Sequence, residues 1–249
     1  MQALLATLLL AAAPSPKTLL TSGPIKLLEV SSERNVPLLP KGAEVVVLVE
    51  GAALVPIAPG NAPLKAGDTV FAPAPGPWTL QPRPRVRAII LALPAPKNVL
   101  ATTVRSEKDA VKFRMLSGKG EGAIILDKDV VGTDAFSQQR LTLQPGAAVP
   151  AHQHPGSAEL IYVVSGQTEV TLDGKPQVLK AGEAVIIPAG AQHAAKVVGQ
   201  EPFQAIQFYV PGGPEQRFKG PGAAAPPGAG GGGAAGAPDA GVTSAATPR

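Results

Sequence analysis

Gly146-Ala-Ala-Val-Pro-Ala-His-Gln-His-Pro-Gly-Ser-Ala-Glu-Leu-Ile-Tyr-Val-Val-Ser-Gly166 holds two of the three histidines in a chain of 249 residues. His152 and His154 stand two positions apart. On an extended strand such residues project from one face, so both imidazoles can approach a single ion. Pro-Gly-Ser-Ala then turns the chain, and Glu159 begins the next apolar run, which a hairpin would bring back beside them. The third histidine, His193, follows Gly182-Glu-Ala-Val-Ile-Ile-Pro-Ala-Gly190. Three neutral nitrogens and one carboxylate suit a transition ion of the Mn, Fe(II), Ni, Co or Zn type and not calcium. The chain has no cysteine, which excludes thiolate ligands and disulfides.

Working outward, the texture is short β-rich runs punctuated by Gly and Pro: 135–143, 160–164, 168–172, 184–187 and 203–210. That spacing predicts an all-β sandwich or barrel. The pattern also occurs twice. Glu44-Val-Val-Val-Leu-Val-Glu-Gly51 matches Glu159–Gly166, Leu64-Lys-Ala-Gly67 matches Leu179-Lys-Ala-Gly182, and the run ending at Pro73 matches the run ending at Pro188. One offset of 115 relates these blocks, and it slips to 117 for Val86–Pro94 against Phe203–Pro211. Two copies of one supersecondary unit explain this most economically.

The two histidine blocks, with their spacings Gly146-(five)-His152-Gln-His154-(four)-Glu159-(six)-Gly166 and Gly182-(five)-Pro188-Ala-Gly190-(two)-His193, resemble the two motifs of the cupin superfamily. The resemblance implies two tandem double-stranded β-helix (jelly-roll) barrels, with His152, His154, Glu159 and His193 holding one divalent transition metal in the mouth of the second. One position departs: the second motif often ends in Asn four residues after its His, where this chain has Val197. Subtracting 115 from the ligand positions gives Pro37, Leu39, Glu44 and Trp78. A lone carboxylate does not hold a transition metal, so the first copy reads as a degenerate barrel packed against the second, with Glu44 a solvated or hydrogen-bonded strand end. Trp78 is a secondary candidate for an apolar pocket.

The expected organisation is an export signal over 1–16, a degenerate barrel over 24–96, a linker over 97–118, a metal-binding barrel over 119–216 and a disordered tail over 217–249. The apolar run at residues 3–13 is too short to span a bilayer, which needs about 20 residues. It fits a signal peptide and so a periplasmic or secreted protein, or a cytoplasmic one if the run is not a signal. Ser106 and Asp109 are placed to cap a short helix in the linker. The tail is almost wholly Gly, Ala and Pro and cannot bury enough surface to offset its ordering entropy.

A net charge of +4 spread along the chain argues for solubility and against a nucleic-acid partner. A small-molecule ligand or substrate is the expected partner, and pairing of two copies is left open. Alternation puts Gln139, Leu141 and Leu143 on the inner face with Ile161 and Val163, while Arg140 and Tyr162 point outward. Gln207 and Tyr209 share a face whose side the sequence does not fix. No Arg, Lys, His or acid beyond the ligands is expected near the metal. Because dioxygenase-type oxidation demands least beyond the metal, with Glu159 as its proton shuttle, that reading leads. Non-catalytic binding of a small oxygen-rich ligand follows, then isomerisation or hydrolysis of a sugar.

Overall fold

The computed structural model describes residues 14–38, 42–57, 60–73, 78–98 and 101–219. The apolar run at 3–13, Leu39, and the tail from 220 onward lie outside these. The first half contributes β1 (Lys17–Ser22), β2 (Ile25–Ser32), β3 (Val36–Leu38), β4 (Ala43–Ile57), β5 (Gly60–Lys65), β6 (Thr69–Ala72), β7 (Trp78–Leu93) and β8 (Thr103–Arg105). They pair in the order β1-β2-β7-β4-β6-β8, with β3 on β7 and β5 on β4. The second half contributes β9 (Val111–Met115), β10 (Gly120–Leu126), β11 (Ser137–Leu143), β12 (Ala148–His152), β13 (Ala158–Ser165), β14 (Gln167–Leu172), β15 (Lys175–Lys180), β16 (Ala184–Ile187), β17 (His193–Val197) and β18 (Phe203–Val210). A six-stranded sheet, β16-β13-β18-β11-β10-β9, lies over a four-stranded one, β12-β17-β14-β15.

The duplication extends to the strand register. Glu44 stands opposite Ala72 as Glu159 stands opposite Ile187. Ala43 stands opposite Leu93 as Ala158 stands opposite Val210, reproducing the 117 offset. Even the turn chemistry is copied: Asp68 accepts from the amide of Lys65 at 2.9 Å, and Glu183 from that of Lys180 at 2.8 Å. Gly51 and Gly166 have φ of 78° and 72°. A Cβ on either would meet the carbonyl oxygen of Arg85 or Pro202 at 2.0 or 2.5 Å, so only glycine fits both the backbone and the space. The second copy uses separate strands, β13 with β14 and β17 with β18, where β4 and β7 each run on through bulges.

Each half has its own interior cluster, around Val46, Leu48, Leu80 and Ile90 in the first and Ile161, Val163, Phe203 and Ala205 in the second. A third cluster joins the halves. Val45, Val47, Phe71, Ile89 and Leu91 pack with Phe136, Leu160, Tyr162, Ile206 and Phe208. Tyr162 does leave its own barrel, as alternation required, yet it is fully buried because its outer face is the contact between the barrels. Its hydroxyl accepts from Arg87 and donates to Glu29 Oε1, both at 3.0 Å, and burial pushes it up to about 12.

The expected linker proves to be shared. β8 pairs with β6 of the first half and β9 with β10 of the second. Between them a single 3-10 turn, Glu107–Asp109, is closed by Asp109 Oδ2, which accepts from the backbone and hydroxyl of Ser106 at 3.1 and 2.8 Å. The expected tail also begins too early. Arg217 and Phe218 belong to a final 3-10 turn, Pro214–Phe218, whose Phe218 is buried. Both corrections have one cause: strand-edge pairing and docking depend on what lies nearby in space, which local composition does not encode.

Candidate metal centre

β12 delivers His152, the turn after it His154, the start of β13 Glu159 and the start of β17 His193. The pairing of β12 with β17 sets His152 directly opposite His193. One ligand atom from each of the four residues can be chosen so that all lie within 4.8 Å of one another. His154, Glu159 and His193 are buried and His152 is half-buried at the cavity wall. The sequence placed all four together, and the fold brings all four together.

The imidazoles are oriented by the backbone. His152 Nδ1 donates to the carbonyl of Pro150 at 2.9 Å, and His193 Nδ1 to that of Ala191 at 3.0 Å. Because a carbonyl only accepts, each ring keeps its proton on Nδ1 and turns Nε2 inward. His193 Nε2 lies 3.1 Å from Glu159 Oε2 and His154 Nε2 lies 3.3 Å from the same oxygen. The latter contact is not a hydrogen bond, and His154 Nε2 is buried without one. An orphaned inward nitrogen beside two further nitrogens and a carboxylate is the donor set a divalent ion needs.

Charge follows the same logic. Burial pushes the His152 imidazole down to about 4, which keeps it neutral, the form that ligates. Burial opposes a charge on Glu159, but its contacts with His154 and His193 outweigh burial and hold the carboxyl below the usual range. Burial also opposes a charge on His193, yet its bond to Glu159 prevails and raises it. A metal would take the place of the proton shared between His193 Nε2 and Glu159 Oε2.

Three residues near the metal were not anticipated there. Gln207 Nε2 donates to Glu159 Oε1 at 2.6 Å and lies 3.1 Å from the Tyr209 hydroxyl, so the face that sequence left unassigned points inward. Tyr209 also sets its ring edge against His154, with centroids 4.9 Å apart. Arg217 lines the same cavity, which corrects the expectation of no further cation there. Cross-strand pairing could have placed Gln207 beside Glu159 had the register been known; no local signal pointed to Arg217. Gln139 faces inward as expected, opposite Gln207, fully buried with neither amide atom bonded.

The cavity measures about 50 Å³. A single ordered water needs roughly 10–15 Å³. Apart from the ligands, Gln207, Tyr209 and Arg217, its walls are mainly apolar, including Met115, Leu141, Leu143 and Val149.

The first copy shows what the ligands replace. Glu44 occupies the place of Glu159 and is 8% exposed, and Oε2 has no hydrogen-bond partner among the described residues. Of the two expectations, a solvated or a hydrogen-bonded strand end, burial rules out the solvated one, because β4 turns Glu44 inward as β13 turns Glu159. Trp78 is half-buried and packs against the first interior cluster. Burial pushes Glu44 up to about 7 from its ordinary 4.5. Below pH 4.5 it is neutral folded or unfolded; between 4.5 and 7 folding increasingly works against its ionisation; above 7 that cost is fully present. Glu44→Gln is expected to leave stability nearly unchanged at pH 4 and to raise it by about 1–3 kcal/mol at pH 8. Metal content should stay as in the parent. Urea titrations at the two pH values check this, and a loss of stability at pH 8 would show that Glu44 is partnered after all.

A family model described as Cupin domain matches residues 139–209. The oxalate-binding protein of Thermotoga maritima is 32% identical over 98 residues, which are 39% of this chain and 81% of that protein. Polyketide synthase CurC of Streptomyces cyaneus is 31% identical over 96 residues, and the match spans 62% of its length, less than two thirds. The crystal structure of Lactobacillus farciminis oxalate decarboxylase in complex with formate superposes with a TM-score of 0.62 at 16% identity, covering 75% of this chain and 76% of that one.

Proposed function

Because the chain belongs to the cupin superfamily, we propose that its second barrel binds one divalent transition metal through His152, His154, Glu159 and His193 and captures on it a small, oxygen-rich, chelating ligand. The observation that carries this is the convergence of four donors at one wall of a small, largely apolar cavity. Four protein ligands leave about two positions of an octahedron, enough for one bidentate ligand. A bound metal supplies Lewis acidity and, if redox-active, electron exchange.

The protein's own residues favour capture. Glu159 gives Oε2 to the two histidines, while Oε1 is taken by Gln207. A carboxylate engaged at both oxygens serves as a ligand, and proton transfer at Oε1 would first require Gln207 to let go. The similarity to an oxalate-binding protein supports the same reading. Dioxygenase-type turnover, with Glu159 as the proton carrier, is the second reading. It is favoured by the lack of any other acid–base pair among the described cavity residues, since such oxidation asks least of the protein.

Elemental analysis of protein purified without added metal, followed by calorimetry and oxygen uptake on small chelating acids, tests both. About one transition ion per chain and saturable binding of an acid such as oxalate are expected, with no oxygen consumption above the free-metal background. Metal-loaded protein that binds none of the acids would overturn capture. Oxygen uptake coupled to ligand loss would promote the second reading.

A further inference from the structure

The segment that corrects the expected tail also lines the metal cavity, with Phe218 buried and Arg217 partly in solvent. Glu215, almost fully buried, accepts from the Ser137 hydroxyl at 2.8 Å and from the amide of Gly213 at 2.7 Å. At the other end Lys219 bonds Asp127 and Asp129, both at 2.5 Å, and Gln216 bonds Asp127 at 3.1 Å. Phe218 lies between these anchors, stacked on Phe113 with centroids 4.1 Å apart and planes at 6°. The Pro214–Phe218 turn is thus fixed to β11 and to the Asp127 corner. Arg217 is held with its guanidinium 4.7 Å above the Phe218 ring. It is the one Lys or Arg lining the cavity among the described residues, and no carboxylate among them pairs with it.

Two physical limits act on whatever enters. A divalent ion with one carboxylate ligand retains a positive charge, and Arg217 adds another, so the site favours an anion. Phe113, Met115, Leu143 and Phe218 offer no partners for hydroxyl groups, and the polar wall residues Thr168, Gln207 and Tyr209 are already bonded to Lys196, Glu159 or each other. The many hydroxyls of a sugar would find few partners, and an unbonded buried hydroxyl is costly. Resting on the capture reading above, we infer that the cap residue Arg217 selects small carboxylates whose oxygens are gathered at one chelating end and whose remainder is apolar, at the expense of neutral chelators and polyhydroxy sugars. The occupant is a compact 2-oxo or 2-hydroxy acid with an aliphatic body, and Arg217 determines specificity without ligating the metal.

Calorimetry on the full chain loaded with Mn(II) tests this with three probes: 4-methyl-2-oxopentanoate, its methyl ester, and glucose. The acid is expected to bind at least about tenfold tighter than the ester, with glucose giving no heat, since a charge-assisted contact at a half-open site contributes on that order. Arg217→Gln should weaken the acid about tenfold, leave the ester unchanged and keep the parent's metal content. Arg217→Lys should recover most of the loss, because the charge remains. Equal affinity for acid and ester, or an equal drop for both in Arg217→Gln, overturns the inference while leaving metal capture standing. Wild-type protein that holds no Mn(II), or that binds neither these acids nor oxalate, overturns both.

Discussion

His152→Ala is expected to lower affinity for a divalent metal by more than about 100-fold, since even partners one shell further out are worth 10–100-fold. Of the three histidines His152 is the least buried, at the cavity wall and opposite His193. Removing it therefore opens a coordination position with little damage to the core. His154 and Glu159 sit deeper and would confound lost binding with lost packing. The parent should gain stability from metal in proportion to its concentration. At a thousandfold excess over Kd the gain is about 4 kcal/mol, or roughly 8–16 °C in Tm for a chain of this size. The variant should show almost none of that shift. Metal analysis and paired thermal scans with and without chelator measure both, and a variant that keeps the full shift would remove His152 from the site.

The second large effect lies far from the metal. Phe208→Ala should destabilise the protein by about 3–5 kcal/mol. Phe208 is fully buried on the outer face of β18, in the cluster that joins the barrels. Truncating it leaves a cavity in that cluster, whose residues come from both halves. Denaturant titration should show a lower midpoint, and the metal should still bind under native conditions because the inner face of β18 is untouched. A change below 1 kcal/mol would mean that the two barrels associate loosely and are not one core.

What the sequence disclosed and what it withheld divide along a physical line. The four ligands were legible because their spacings are set by local geometry, a four-residue turn before Glu159 and a Pro-Ala-Gly corner before His193. β12, however, ends at His152, so His154 lies in the turn beyond it and not on the same strand. The duplication was legible as an offset, and the strand register then obeyed it. Alternation correctly paired Gln207 with Tyr209 but gave no sign to the face, since period two carries relative and not absolute direction. The sequence left Glu44 either solvated or hydrogen-bonded because its burial depends on which way β4 faces. Arg217 was invisible for a different reason: its place is decided by Glu215 and Lys219 reaching Ser137 and Asp127, contacts spanning 78 and 92 positions in the chain.

The register of β13 and β18 has a practical use. Along both strands the odd-numbered residues look into the second barrel, 159, 161, 207 and 209 lining its cavity and 163 and 205 joining its core, while 160, 162, 206 and 208 look toward the other barrel. Chemistry and assembly are written on opposite sides of the same two ribbons. A library restricted to the odd positions other than Glu159 can therefore retune which ligand is accepted without loosening the joint between the halves, and one restricted to the even positions can reshape the joint with the metal ligands intact.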